Sequence, residues 1–206
     1  GQIPTNINNL SLIRQLKSLL AHDAALQGIY GWLAKGVPYC AGAVVLAAFG
    51  LVQFFLNQFG ADRDGFRALV LTGAPRGKIL LGKNLACAPF ALGIGGVYLA
   101  MAAWFVHPSL SLLAAGVLQL VAAFVICCGF GNLVSIVAPF RIAAGSLKPT
   151  KQPLKTTLLI MICHLVFPIV MAPILFPPAT EFFLKLLDWH PPLSLNLLLS
   201  VAVLAV

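Results

Sequence analysis

The stretch of the chain that looks most like a chemical motif is Gly77 to Asn84, GKILLGKN, which nearly matches the phosphate-binding pattern G-x-x-x-x-G-K-S/T. That pattern binds nucleotide when a glycine-rich loop follows a strand and ends on a Ser or Thr that holds magnesium. Here the interior of the pattern is Ile79-Leu80-Leu81, and position 84 is asparagine. We therefore expect no ATP binding by this chain, so any energy coupling must come from a partner.

Polar residues inside the apolar segments are the next candidates. His164 is the only titratable residue well inside such a segment, and ionisable groups within a membrane are candidates for function. Because no acidic residue accompanies it, we favour a structural hydrogen bond to a neighbouring helix over a proton relay. Asn132 favours an interhelical hydrogen bond, and Pro168 is either an ordinary kink or part of a broken helix that lines a path. These three residues are the candidate transport-path or helix-contact residues.

Residues for catalysis or metal binding are too sparse to form a site. Asp62 and Asp64 lie in one loop, whereas Glu181 and Asp188 lie in a loop that is predicted to be on the other side of the membrane. The five cysteines all fall within apolar runs, so neither a disulfide framework nor a zinc site follows. A membrane enzyme for lipid or polyprenyl substrates would need acidic or histidine clusters, which two aspartates do not supply. We expect a chain that is not an enzyme and needs no cofactor.

The overall composition indicates an integral membrane protein. Hydrophobic residues make up 60% of the 206 residues and charged residues only 9%, whereas charged residues are about 25% of soluble proteins. The excess of 13 basic over 5 acidic residues is better explained by retention of Lys and Arg at the cytoplasmic side than by nucleic-acid binding. No nucleic-acid partner is expected.

The apolar runs predict an all-α polytopic transmembrane helical bundle with about four full spans and a truncated fifth. Residues 1–36 are predicted to be an amphipathic or linker segment, and residues 37–206 the transmembrane domain. Both ends look cut, so we expect the C-terminal part of a longer chain. The predicted spans are 37–56, 85–106, 112–138, 157–176 and the shortened run 193–206, with a mixed loop at 177–192.

The distribution of basic residues predicts the orientation. Nine of the 13 basic residues lie in the loops 57–84 and 139–156, and the opposing loops hold only Lys185. The basic side is therefore cytoplasmic by the positive-inside rule. Residues 1–36 would then lie outside, although they carry three basic residues of their own.

The loop 57–84 is the most strongly charged part of the chain, with a net charge of +3. Its apolar residues are spaced to give helices one apolar face. Gly73-Ala74-Pro75 supplies a break, because proline lacks a backbone donor and disfavours helix just before it. The pattern predicts two short amphipathic helices that offer a cationic ridge to a soluble partner. The alternative is an ordinary basic loop that only sets topology.

With these segments in view, the chain resembles the membrane subunit (permease) of ATP-binding-cassette exporters of the type-2 class. Residues 59–86, FGADRDGFRALVLTGAPRGKILLGKNLA, resemble the cytoplasmic loop of this family that carries the coupling helix. Residues 131–149, GNLVSIVAPFRIAAGSLKP, resemble the segment that leaves a later span. The similarity covers about 57–176. The family has two spans before the loop and this chain has one, which fits an N-terminal truncation.

The resemblance implies a permease that docks through its coupling helix into a cytosolic ATPase dimer, whose closure rocks the spans between inward- and outward-facing states. The resemblance also implies a multi-pass protein of the cell membrane, which is the inner membrane if the source is a bacterium. Other expected partners are the lipid bilayer and either a second permease copy or the missing N-terminal half. The residues that the resemblance assigns to ATPase docking are Gly65, Phe66, Arg67, Leu69 and Arg76.

A transporter of another class is the alternative. An ATP-independent secondary transporter or channel-like protein would need polar or charged residues at binding sites near the middle of the membrane. Beyond His164 and Asn132, we expect such residues to be missing.

Overall fold

In a computed structural model of the chain, residues 24–34, 36–62, 68, 71, 73–137, 153–187 and 195–205 are described. These residues form helices joined by short turns, and no strand occurs among them. The predicted all-helical class is confirmed for this part of the chain. The helices are α1 (Ala24–Ala34), α2 (Val37–Leu56), α3 (Gln58–Asp62), α4 (Arg76–Val106), α5 (Leu110–Val137), α6 (Leu154–Val170), α7 (Ala172–Leu186) and α8 (Leu195–Ala205).

Among the described residues, three helical stretches are long and apolar enough to cross a membrane: α4, α5, and the continuous stretch Leu154–Leu186 formed by α6 and α7. Much of α4 and of the α6–α7 stretch is exposed, with large apolar side chains such as Trp104 and Leu165 on the surface. Such surfaces suit lipid, and the chain has the features of a multi-pass membrane protein. That α2 and the shorter α8 also cross the membrane stays a prediction.

Helix α2 is the centre of the bundle. It is uncharged over 20 residues and packs most extensively against α5 and α4, with a smaller contact to α7. Val44 and Ala47 are almost fully buried, as is Leu56 at its end. Small residues on α2 and α5 allow this packing, because close approach of backbones is the main source of helix association in lipid.

Helices α4 and α5 form an antiparallel hairpin. His107 ends α4 with a left-handed conformation (φ 52°), and its N–H donates to the Ala103 carbonyl over 3.0 Å. Gly36, at φ +83°, precedes α2 and lies close to Val106 at this same turn. Helix α2 therefore starts beside His107 and runs toward Arg76. We call these two ends of the bundle the turn end and the basic end.

The structure changes two of the predicted boundaries. The predicted second short helix of the basic loop is wrong, because residues 76–84 continue without interruption into the span as part of α4. The predicted mixed loop at 177–192 is also wrong for residues 177–186. These residues belong to helix α7, which spans residues 172–186 despite Pro177 and Pro178. In lipid, a helix satisfies its backbone groups internally, and this outweighs the unfavourable effect of the two prolines.

The junction of α6 and α7 lies at Met171. Pro173 follows in the first turn of α7, and the Ile174 N–H donates to the Met171 carbonyl, three residues back, over 3.0 Å. A proline at a helix start is tolerated because its missing donor would have no helical partner there. Phe167, just before the junction, is buried against Phe49 of α2 and Phe130 of α5. These ring contacts tie the weakly packed α6 to the core.

Helix α1 lies against α7 near the turn end. The ring of Trp32 meets the ring of Phe182 edge-on, with centroids 5.1 Å apart. Lys185 and Glu181 form an ion pair at 2.6 Å, one helical turn apart on α7. The division of the chain at residue 36 stays a prediction.

Candidate functional site at the basic end of the bundle

The first turns of α4 project beyond a membrane-sized length. A helix of 31 residues is about 46 Å long, whereas the hydrocarbon core of a bilayer is about 30 Å thick. Arg76 and Lys78 are exposed at the start of this helix. Cations at a helix N-terminus are opposed by the helix dipole, by about 0.3–1 kcal/mol each. Their position therefore does not serve helix stability and suits contact with an anionic surface.

The break that precedes α4 is confirmed. Gly73 adopts a left-handed conformation (φ +67°), and Pro75 caps the helix in an extended conformation. Glycine has no side chain, so it adopts the left-handed conformation without strain, and the ring of proline fixes its own φ. Together the two residues set the angle at which the basic loop enters α4. The loop thus meets the helix at a defined turn.

Lys83 joins the two ends of the basic loop. Its Nζ donates to the Gln58 carbonyl over 3.0 Å and lies 5.1 Å from the centroid of the Phe59 ring. A cation over an aromatic face contributes about 0.5–1 kcal/mol when exposed and more when desolvated. Helix α3, where the loop begins, is thereby attached to α4, where the loop ends.

Helix α5 holds the same segment from a second side. The Phe59 N–H donates to Ser135 Oγ over 2.8 Å, and Ser135 is fully buried. One turn earlier on α5, Gly131 lies against the backbone of Phe55, so that an added Cβ would be 2.5 Å from the Phe55 carbonyl oxygen. Close helix contact is therefore present in the second half of α5. Ser135, rather than Asn132, makes its hydrogen bond.

Three side-chain amides toward the basic end of the bundle have buried polar atoms without a hydrogen-bond partner. Gln58 is 6% exposed, and neither Oε1 nor Nε2 of its side chain has a hydrogen-bond partner. Asn84 on α4 and Asn132 on α5 each have a buried Oδ1 without a partner. Buried polar groups are almost always hydrogen-bonded in native proteins, so three such amides at one end of a bundle require an explanation.

The structure places the predicted site residues unevenly. Gly65, Phe66, Arg67 and Leu69 lie outside the described residues, so their assignment to ATPase docking stays a prediction. Arg76 is the first residue of α4 and is exposed next to the break.

The transport-path candidates lie on two helices, and their role stays a prediction. Asn132 lies near the basic end of α5, whereas His164 and Pro168 lie on α6. The His164 Nδ1–H donates to the Ile160 carbonyl of its own helix over 2.8 Å. A carbonyl oxygen only accepts, so Nδ1 carries the proton in this bond, which runs along α6. Whether His164 has a structural or a transport role stays a prediction.

The structure contains a polar network between α5 and α8 that was not predicted from the sequence. Gln119 Nε2 donates to Asn196 Oδ1 and to Ser200 Oγ, each over 3.0 Å, and Ser200 Oγ donates to the Asn196 carbonyl over 2.7 Å. All three side chains are buried. Two features of the sequence could have indicated this network: an isolated glutamine in an apolar run, and the four-residue spacing of Asn196 and Ser200. Asn196 and Ser200 lie in the run that was predicted to be a truncated span.

Two further features bear on binding. An apolar groove of about 760 Å³ lies between α4 and α5, with Trp104 and His107 toward its turn-end side and Leu99 and Leu120 in its wall. In the part of the chain that the structure describes, no three His, Cys, Asp or Glu residues are close enough to hold a metal ion.

Comparisons with protein-family models, with curated proteins and with solved structures gave no match to this chain. Its function must therefore be argued from its own residues.

Proposed function

We propose that the chain is the membrane-spanning permease subunit of an ATP-binding-cassette exporter. It would couple ATP hydrolysis by a separate cytosolic ATPase to movement of a substrate across the membrane. The observation that carries the proposal is the basic end of α4, where exposed cations extend past a membrane-sized length and adjoin the break at Gly73–Pro75. The proposed docking segment, Gly65 to Arg76, ends at this point.

The proposed coupling works through the attachments of the basic loop. Lys83 ties α3 to α4, and Ser135 ties α3 to α5. A displacement of the loop by a closing ATPase would therefore move α4 and α5 together, because both helices hold the segment from which the loop begins. A loop attached only by its two chain ends would dissipate the same displacement in its own flexibility.

The basic residues at this end of the bundle support the proposed docking surface. An exposed cationic rim favours rapid association with an acidic partner surface, and aromatic and apolar residues supply the centre of such interfaces. Phe66 and Leu69 would be the apolar contacts, with Arg67 and Arg76 at the rim. The basic end would face the cytosol by the positive-inside rule, in the cell membrane, which is the inner membrane if the source is bacterial. The complete transporter would also need a second permease copy or a further N-terminal half.

An ATP-independent secondary transporter or channel-like protein is the second candidate. The network of Gln119, Asn196 and Ser200 favours it, since polar groups inside a bundle often mark substrate or ion sites. These groups, however, hydrogen-bond to one another, so a substrate would have to displace existing bonds. This makes the second candidate weaker than the exporter.

The experiment that tests the proposal is co-purification with the ATPase encoded beside this chain. Phe66→Ala combined with Arg67→Glu should leave membrane insertion intact and abolish co-purification. Arg141→Glu, in the other basic loop, is the matched control and should retain the ATPase. Unchanged co-purification of the double variant, or the absence of a Walker A protein from the neighbouring reading frames, would contradict the proposal.

A further inference from the structure

Helices α4 and α5 pack closely along one side of their hairpin. A Cβ added at Gly95 would collide with the side chain of Leu120, and a Cβ added at Gly116 would lie 3.1 Å from Leu99 Cδ2. Each helix thus uses a glycine to accept a leucine of the other. Leu99 and Leu120 also line the apolar groove between the two helices, so this packed side forms the wall of the groove toward the core.

The groove is open because the α4 residues along its middle are small. These residues are Gly96, Ala100 and Ala103. A Cβ added at Gly96 would meet nothing within 4 Å. On α4 the lining runs from Leu92 to His107, about 22 Å along the helix axis. One leaflet of a bilayer contributes about 15 Å of hydrocarbon, so the groove is long enough to hold a whole acyl chain.

The polar groups of the groove are confined to its turn end. Trp104 and His107 lie there, and every other lining residue is apolar. The volume of about 760 Å³ falls within the range of about 300–1,000 Å³ that is usual for small-molecule sites. An apolar helix laid over the groove would leave the two polar rings without partners in lipid. An amphiphile with a long apolar tail and a polar head matches the groove along its whole length.

His107 occupies a backbone position that favours glycine. Its φ is 52°, and no other non-glycine residue of the described chain has a positive φ. Glycine is the usual residue just after a helix end in this conformation, because a Cβ is unfavourable there. The chain carries a histidine at this position despite that cost, and its ring lines the groove. Neither this ring nor the indole N–H of Trp104 forms a hydrogen bond with a described residue.

We propose that the groove binds one acyl chain of a membrane phospholipid, with the headgroup at the turn end beside Trp104 and His107. The apolar lining contacts the chain. The indole N–H donates to a phosphate or ester oxygen, and a protonated ring nitrogen of the imidazole donates in the same way. Rings that combine an apolar body with a polar group favour this level of the bilayer. The inference rests on the groove alone and does not depend on ATPase docking.

Two glycines of α4 provide a matched test. Gly96 lines the groove and Gly93, about one turn earlier, does not, and a Cβ added at either would meet nothing within 4 Å. Gly96→Leu and Gly93→Leu therefore add the same side chain to the same helix, and only the first fills the groove. The purified and delipidated full chain, in dodecyl maltoside, is titrated with palmitoyl-oleoyl phosphatidylglycerol. Native mass spectrometry counts the bound lipids and reports the oligomeric state.

Gly96→Leu should weaken binding of the first lipid about tenfold, because the leucine takes apolar surface that the acyl chain would cover. Gly93→Leu should bind the lipid as the unaltered chain does. Equal affinity of the two variants for the lipid overturns the proposal. Conversion of a dimer to a monomer by Gly96→Leu, with lipid binding unchanged, also overturns it, because the groove would then hold a helix of a second copy.

The position of the headgroup is tested with His107→Gly. Glycine adopts the left-handed conformation without strain, so the melting temperature should stay the same or rise. Loss of the imidazole should nevertheless weaken phospholipid binding by about two- to tenfold. Palmitoyl-oleoyl glycerol, which has the same chains and no phosphate, should show a smaller loss. Unchanged binding of the phospholipid by His107→Gly overturns the placement of the headgroup at the turn end.

Discussion

The Phe59 N–H donates to Ser135 Oγ over 2.8 Å, across 76 residues of sequence and in a fully buried position. Phe59 also lies under the ammonium group of Lys83, with 5.1 Å from Nζ to the ring centroid. One residue of α3 is therefore held by the end of α5 and by the start of α4. The basic loop begins at α3, so α4 and α5 together fix the position at which the loop starts.

The first prediction concerns the hydroxyl group of Ser135. Ser135→Ala removes the hydroxyl acceptor of the buried Phe59 N–H and should lower the free energy of unfolding by about 1–3 kcal/mol. Denaturation of the detergent-solubilised chain, followed by circular dichroism, measures the change. Ser111→Ala is the control, because Ser111 lies at the turn end and bonds only to the neighbouring Ser109 hydroxyl in the described contacts. Equal effects of the two variants would contradict the importance of the Phe59 contact.

The second prediction uses two glycines of α5 that differ only in what surrounds them. Gly131→Ala would place a methyl group 2.5 Å from the Phe55 carbonyl oxygen, which is backbone and cannot move aside. It should destabilise the chain by about 1–3 kcal/mol. At Gly129 nothing lies within 4 Å, so Gly129→Ala should be neutral or stabilising by up to about 1 kcal/mol through helix propensity. Thermal melts of the two variants, side by side, provide the measurement.

The sequence predicted those elements that depend on composition and on local chain chemistry. The all-helical class and the long apolar helices followed from the lack of charge. The break before α4 followed from Gly73 and Pro75. Helix ends were harder to predict, because the basic residues 76–84 read as a surface helix although they continue the span. Charge indicates which residues leave the membrane, but it does not indicate whether the helix ends there.

The buried polar contacts could not be predicted from one sequence. Gln119 lies 77 residues from Asn196 and 81 residues from Ser200 in the sequence, and no local pattern pairs a glutamine on one helix with an asparagine on another. Asn132 was singled out because it is polar within an apolar run. Gln58 follows Asn57 at the polar start of the basic loop and Asn84 follows Lys83, so neither residue carried such a contrast. Gln58 is buried where α3 packs against α5 and where Lys83 of α4 bonds to its backbone carbonyl.

The third prediction is that Gln119 and Asn196 stabilise the chain jointly. In a double-mutant cycle, Gln119→Leu and Asn196→Leu should each destabilise, and the pair should show a coupling energy of about 0.6–2 kcal/mol. Unfolding in a mixed-micelle titration measures all four chains of the cycle. Ser200 stays available to Gln119 in Asn196→Leu, so Ser200→Ala is added to separate its share. Strict additivity of the first pair would contradict a direct bond.

The fourth prediction concerns the orientation of α4. Its two ends carry Lys78, exposed near the start of the helix, and His107, exposed at the turn that ends it. Single cysteines at these positions, in a chain whose five native cysteines are replaced by serine or alanine, should differ completely in labelling by a membrane-impermeant maleimide. Lys78→Cys should react only after the cells are opened, whereas His107→Cys should react from outside intact cells. The expectation rests on the positive-inside rule, by which the basic loop would be retained on the cytoplasmic side and the hairpin of α4 and α5 would carry the turn across the membrane. Reaction of Lys78→Cys in intact cells would place the basic end outside, where no cytosolic ATPase could reach it, and would contradict the proposed function along with the orientation.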